Sequence, residues 1–158
     1  MKLGPLLALA LALAAGGREA AAQASSGTSL EAFPVQGLAF GPMIPGVPES
    51  IPVTDGARRA EIVITGQGTA DVTLVLPEAL VSAAGARIPL RFGARDAAVA
   101  RGSGAAVPVD PHQPIRVSLD GASGPVRILV GATALPAPGQ VAGTYTTTLV
   151  LVVVNPGT

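Results

Sequence analysis

The sequence predicts an all-β protein built as an antiparallel β-sandwich of about seven to nine short strands. Twenty Gly and 15 Pro residues divide the 158-residue chain at short intervals, and helix is hard to fit because both residue types interrupt helices. The pieces between them are rich in Val, Ile, Leu and Thr, and several alternate between apolar and polar residues as half-buried strands do. Turn signals recur roughly every ten residues, which is typical of a sandwich.

The first residues predict a Sec-type signal peptide. In "MKLGPLLALALALAAGGREAAAQASSG", Lys2 supplies a positive charge and Leu3 to Ala15 form an apolar run with one Pro. The run is shorter than the roughly 20 residues of a membrane helix. Cleavage in the Ala-x-Ala pattern fits equally well after Ala22 and after Ala24. We therefore expect a signal peptide over residues 1–24 and one secreted domain over residues 25–158, located in the periplasm, on the outer surface or outside the cell. A retained N-terminal anchor is the alternative.

Charge and cysteine content restrict the partners of the mature chain. Removing Lys2, Arg18 and Glu19 turns 10 basic and 10 acidic residues into 8 and 9, a net charge of about −1. This balance gives no attraction for nucleic acid or for an anionic membrane, and we expect no membrane insertion of the mature chain. Because the chain contains no Cys, burial and backbone pairing alone must stabilise the exported domain.

Strand patterns occur in eight segments. Ile115, Val117 and Leu119, for example, share one face of their segment. We interpret Pro77 to Gly85 as a crossover between sheets, and residues 94–113, which are small and rich in Gly and Pro, as a long loop or a weak edge hairpin. The predicted strands are Val35 to Phe40, Ser50 to Thr54, Ala60 to Thr65, Asp71 to Leu76, Arg87 to Phe92, Ile115 to Leu119, Val126 to Val130 and Thr144 to Val154.

The last predicted strand raises the main functional question. Every residue from Leu149 to Val154 is apolar, so both faces of the strand avoid water. Exposing an apolar side chain of this size instead of burying it forfeits about 1.5 to 3 kcal/mol. Either the strand is central and its second face lies under a loop such as residues 94–113, or a partner strand covers it. The hypothetical partner-strand interface consists of Thr148, Val150, Val152 and Val154.

Residues that carry chemistry are sparse. The single His112 lies between Pro111 and Pro114 and is interpreted as an exposed turn residue. No Gly-x-Ser-x-Gly elbow and no calcium loop is found, so we predict no catalytic, metal or cofactor site and no enzymatic activity. The scattered carboxylates are expected to cap turns or to lie singly on the surface; they are Asp55, Asp71, Asp96, Asp110 and Asp120.

Structural roles are also expected for other polar residues. Arg58 and Arg59 beside Glu61 are interpreted as solvated charges on an outward face. Tyr145, the only Tyr, is expected to bond a nearby backbone group through its hydroxyl while its ring enters the core.

Four stretches of the chain form a recognisable pattern: "LAFGPMIPG" (Leu38 to Gly46), "DGARRAEIVITG" (Asp55 to Gly66), "VTLVLP" (Val72 to Pro77) and "AGTYTTTLVLVVV" (Ala142 to Val154). The residues that carry the pattern are Leu38, Phe40, Gly41, Gly46, Gly66, Gly143, Thr144 and Tyr145. With this pattern the chain resembles an uncharacterised family of bacterial secreted domains similar to spore coat protein U and to the major subunits of archaic chaperone-usher pili.

The resemblance implies an immunoglobulin-like sandwich that acts as a pilus-subunit-like or coat-like structural protein, joined to partners by β-strand addition at its C-terminal strand. The implied partners are further copies of the chain or a periplasmic chaperone and usher. The chain departs from the pilin pattern in "SSGTSLEAFP", the segment before Val35, because Pro34 and the lack of alternation make it a poor donor strand. The alternative function is a self-contained periplasmic or surface β-sandwich that binds a ligand through its loops.

Overall fold

The computed structural model describes the backbone of residues 6–12 and the whole of residues 30–156. These residues form strands and no helix, so no helix able to span a membrane is found among them. The predicted cleavage positions after Ala22 and Ala24 lie outside the described residues. The strands are β1 (Leu6–Ala12), β2 (Glu31–Gln36), β3 (Glu49–Ile51), β4 (Ala60–Thr65), β5 (Gly68–Val75), β6 (Ala79–Ser82), β7 (Arg87–Arg91), β8 (Ala97–Arg101), β9 (Val107–Val109), β10 (Ile115–Leu119), β11 (Val126–Val130), β12 (Ala132–Ala134), β13 (Tyr145–Thr146) and β14 (Thr148–Val154).

Two antiparallel sheets form the sandwich. The first sheet has the order β1-β14-β5-β10, and the second has the order β2-β4-β11-β8-β9. Apart from β1, which precedes the predicted domain, the two sheets contain eight strands, within the predicted range of seven to nine. The prediction of an all-β sandwich is confirmed. The strands form because their residues alternate, which lets one face of each sheet turn inward while the other carries polar groups.

The main core lies between these two sheets. Inward-facing side chains of β5, β10 and β14 pack against those of β4, β8 and β11. Ile62, Val72, Val117, Ile128 and Leu151 are all at most 1% exposed. Apolar burial of this extent replaces the disulfides that the chain lacks.

A third sheet, of order β13-β6-β7-β12-β3, is attached to the sandwich and has its own apolar cluster. The chain passes from β11 to β12 through Gly131, whose amide donates to the carbonyl oxygen of Asp96 over 2.8 Å. A Cβ at Gly131 would overlap the carbonyl oxygen of Ile51 and lie 3.1 Å from the amide nitrogen of Val53. Glycine therefore allows the backbone after β3 to cross directly against this junction.

Several sequence-based expectations are corrected. The segment from Pro77 to Gly85 is not only a crossover, because β6 pairs there with β7. Residues 94–113 form β8 and β9, which is the edge-hairpin alternative. They belong to the second sheet, so the alternative in which they cover the second face of β14 is wrong. The strand predicted over Val35 to Phe40 is displaced, since β2 ends at Gln36, and the last predicted strand is divided at Thr147 into β13 and β14.

Candidate functional site

The two faces of β14 have different surroundings. Leu149, Leu151 and Val153 point into the main core and are 7%, 1% and 1% exposed. The residues between them are those predicted as a partner-strand interface. Thr148 is exposed, and the other three are only half-buried: Val150, Val152 and Val154. The sandwich thus covers one face of the strand and leaves an apolar second face on the outside of the first sheet.

The two edges of β14 differ as well. Along one edge β14 pairs with β5, from Val150 opposite Val75 to Val154 opposite Asp71. Along the other edge it pairs antiparallel with β1 over seven residue pairs, from Ala12 opposite Thr148 to Leu6 opposite Val154. Within residues 30–156 no strand lies on this second edge. The only described segment that covers it is therefore β1, part of the run that was predicted from the sequence to be a signal peptide.

Polarity changes across the outer face of the first sheet. On β10 and β5, Arg116 holds Asp71 through two bonds, Nε to Oδ1 at 2.7 Å and the second guanidinium nitrogen to Oδ2 at 2.9 Å. This hydrogen bonding lowers the pKa of the Asp71 carboxyl. Toward β14 the face becomes apolar, and Val75, opposite Val150, is 52% exposed. Val150, Val152 and Val154 therefore form an apolar stripe along β14, and only its Val154 end lies beside the ion pair.

A cleft of about 830 Å³ opens between the third sheet and two strand-free segments, residues 37–45 and 136–144. Its floor reaches the main core at Ala60, Val130 and Leu149, and apolar side chains dominate its walls. None of the described residues that line it is charged. Six of the eight residues that carry the family resemblance line this cleft: Leu38, Phe40, Gly41, Gly143, Thr144 and Tyr145.

Tyr145 fixes one rim of the cleft. Its hydroxyl donates to the carbonyl oxygen of Val141 over 2.5 Å and accepts a bond from Nε2 of Gln140 over 2.7 Å. Its ring packs against the cluster of the third sheet, so the expected role of Tyr145 is confirmed. Just outside the cleft, Gly46 has a φ of +78° and donates its amide to the carbonyl oxygen of Pro136 over 3.1 Å. The two segments are thereby tied to each other beside the opening. Gly46 and Gly66 do not line the cleft.

The titratable residues have structural contacts. His112 is exposed in the turn after β9, as predicted, and its Nε2 lies 2.9 Å from the carbonyl oxygen of Phe92. Four carboxylates accept turn amides at 2.7–3.1 Å: Asp55, Asp96, Asp110 and Asp120. In the part of the chain that the structure describes, no three His or acidic side chains converge as a metal site would require.

One expectation about surface charge is wrong. Arg59 and Glu61 were expected to be solvated, but their side chains are only 17% and 16% exposed and form an ion pair of 3.0 Å. Arg127 approaches the other carboxylate oxygen of Glu61 to 3.6 Å. Arg59 also donates to the carbonyl oxygen of Val53, so the cluster holds the segment after β3 on the outside of the second sheet.

No family model, no curated protein and no solved structure matches this chain. The resemblance to coat proteins and pilus subunits therefore stays a prediction based on the quoted residues. The apolar outer face of β14 could be predicted from the sequence, because successive side chains of a strand point to opposite faces. It missed the cleft, which residues from distant segments form together. The apolar residues within the Gly- and Pro-rich stretch "LAFGPMIPG" are the only sequence signal for it.

Proposed function

We propose that this protein is an exported structural or assembly subunit that joins a partner by β-strand addition at β14. The observation that carries the proposal is the second edge of β14, on which residues 30–156 place no strand. The partners we propose are further copies of the chain or a periplasmic chaperone and usher. Binding of this kind requires no catalytic group.

Strand addition suits this edge for two physical reasons. An uncovered edge strand offers a row of unpaired amide and carbonyl groups, which an extended chain satisfies by main-chain hydrogen bonds. The alternating side chains then fit into the faces on either side of the sheet. The segment from Ala142 to Asn155 contains no charged residue and no Pro, so it lacks the features by which exposed edges usually avoid association.

Removal of the signal peptide gives the edge its function in this proposal. In the full chain β1 pairs along all seven residues of β14, and cleavage after Ala22 or Ala24 would remove β1. The buried side chains of the core all lie between Phe40 and Val153, so the processed chain keeps the whole described core. Processing would thus leave a folded sandwich with a free, apolar edge.

A peptide-binding experiment tests the proposal. A chain beginning at Ser25 is titrated into a fluorescently labelled peptide with the sequence of Leu6 to Ala12, made soluble by lysines at both ends. We expect saturable binding, seen as a rise in fluorescence anisotropy. The matched control is the same peptide with Pro in place of both Ala8 and Leu9. Successive amides of a strand point to opposite edges, so one of the two Pro residues removes a donor that faces β14 and disrupts the ladder.

Equal anisotropy changes for both peptides would mean nonspecific adhesion and would refute strand addition. The same conclusion would follow if neither peptide bound while β14 remained folded by hydrogen exchange.

A second candidate function is a self-contained binding module, and the cleft favours it. Its volume of about 830 Å³ is in the range of small-molecule sites, which are mostly apolar with a few polar groups. Since its lining residues carry no charge, the ligand that suits it is an uncharged, apolar molecule. Tyr145 and Gln140 supply the polar rim.

The neutral probe N-phenyl-1-naphthylamine tests this candidate. Because the chain has no Trp and a single Tyr, quenching of Tyr145 fluorescence reports occupancy of this cleft alone. Leu90→Phe, which adds a ring to the wall of the cleft without adding a competing fluorophore, should weaken the quenching that the probe causes. Val107→Phe, on β9 and outside the cleft, is the matched control. Equal probe binding by both variants would reject the cleft as the site.

A further inference from the structure

The seven-pair register between β1 and β14 defines what a partner strand must offer. Leu11, Leu9 and Leu7 occupy the positions opposite Leu149, Leu151 and Val153. A partner therefore runs antiparallel, is about seven residues long, and has large apolar residues at every second position. An acceptable strand must also pair in this register or in one shifted by an even number of residues, because a shift by one residue exchanges its two faces.

We infer that the occupant of this edge in the processed protein is β14 of a second copy, paired antiparallel about a two-fold axis through Leu151. β14 carries Leu149, Leu151 and Val153 at alternate positions, the same spacing as the three Leu residues of β1. With Leu151 opposite its own copy, Leu149 lies opposite Val153 and Thr148 lies opposite Val154. Leu151 is the middle residue of β14, so a two-fold axis at this position pairs all seven residues of the strand. The inference rests on the proposed function and names its partner.

The two-fold pairing also suits the outer face of the sheet. Val150 of one copy comes to lie opposite Val152 of the other, which joins the two apolar stripes into one. No charge opposes this contact: β14 has none, and Asp71, beside Val154 on β5, is already held by Arg116. Cross-strand pairs of β-branched residues add to the main-chain hydrogen bonds.

The other edges of the described sheets are less suited to this role. β2 contains Pro34 and an irregularity before Gln36, β9 is three residues long and contains Pro108, and β3 and β13 have three and two residues. β10 turns Arg116 and Ser118 outward. Short strands, Pro, irregular pairing and charge all prevent edge association.

The N-terminal segment of another copy is also a weaker candidate than β14. Glu31 to Gln36 already pair with β4 within their own chain as β2. A donor strand from that region of the processed chain would have to come from residues 25–29, "SSGTS", which show no apolar alternation. A two-fold pairing of β14 is isologous, so it closes on itself and gives a dimer, whereas donation of an N-terminal strand would continue into a fibre.

Cysteine cross-linking tests the register, since the natural chain has no Cys. Processed chains carrying Thr148→Cys and Val154→Cys are mixed in equal amounts and oxidised. Directly opposed residues are about 5 Å apart between Cα atoms, within the limit of about 7 Å for a disulfide. We expect a covalent dimer from the mixture and at least tenfold less from either variant alone, because like positions lie roughly 20 Å apart along the pair.

A matched control mixes Thr148→Cys with Val150→Cys. These positions are both on the outer face but lie roughly 13 Å apart in the inferred register, so little dimer should form. Sedimentation equilibrium of the unmodified processed chain gives a second readout and should show twice the monomer mass, while the full chain, in which β1 occupies the edge, should be a monomer.

The outcomes separate the inference from the proposed function. If the processed chain binds the Leu6 to Ala12 peptide but stays monomeric and does not cross-link, the second copy is the wrong partner and strand addition stands. If high-mass fibres form without the 148–154 cross-link, a donor-strand arrangement replaces the dimer. If neither peptide nor second copy binds, both the inference and the proposed function are refuted.

Discussion

Replacing Leu151 and Val152 separately by Ala tests which face of β14 the sandwich requires. Leu151 is 1% exposed within the main core, so Leu151→Ala removes buried atoms and leaves a cavity, at a cost of about 2–5 kcal/mol in the free energy of unfolding. Val152 is half-buried on the outer face. Val152→Ala removes two carbons worth about 0.8 kcal/mol each when fully buried, so we expect a loss of only about 0.8 kcal/mol.

Urea unfolding of the processed chain, followed by far-ultraviolet circular dichroism, measures both losses at a protein concentration low enough to keep the chain monomeric. With a slope of about 2 kcal/mol per molar urea, the midpoint should fall by about 1–2.5 M for Leu151→Ala and by about 0.4 M for Val152→Ala. Equal shifts for the two variants would show that both faces of β14 are buried to the same extent within one chain. No shift in either would show that the fold does not need β14, and the reasoning would fail.

The remaining predictions concern other parts of the fold. Gly131→Ala should destabilise by about 1–3 kcal/mol, because its Cβ meets the backbone of the segment after β3, whereas Gly121→Ala, in open space, should change little; thermal unfolding compares them. Tyr145→Phe should cost about 1 kcal/mol through two lost hydrogen bonds, again read from urea midpoints. The lowered pKa of Asp71 means that its bond to Arg116 stabilises the fold fully above about pH 4 and less as acid protonates it. In the Arg116→Gln variant, the free energy of unfolding should therefore fall less steeply as the pH is lowered below about 4.

Sequence periodicity predicted the central strands well. The strands over Ala60–Thr65, Ile115–Leu119 and Val126–Val130 have the predicted bounds, because each alternates between core and surface and is bounded by turn residues. The outer face of β14 followed from the same rule. A run in which every residue is apolar must expose one face unless something covers it.

Strands that depend on tertiary context were predicted only as an alternative to a loop, as for β8 and β9, or not at all, as for β12. β8 has the sequence "AAVAR", and Ala favours strands weakly, but small side chains let Ala98 and Ala100 pack closely under Leu129. β12 is three residues long and depends on the close backbone approach at Gly131. Leu38 and Phe40 were placed on the strand predicted from Val35 to Phe40. They instead follow the end of β2 and line the cleft.

Amide hydrogen exchange along β14 of the processed chain, measured at several protein concentrations, tests the central claim most directly. In an antiparallel ladder every second amide of β14 points toward β5 and the others point toward the second edge. The account predicts that the first group is protected at all concentrations and that the second group becomes protected only as the concentration rises. Full protection of both groups at every concentration would mean that the chain covers its own edge. Rapid exchange of both groups would mean that β14 is not part of the folded sandwich.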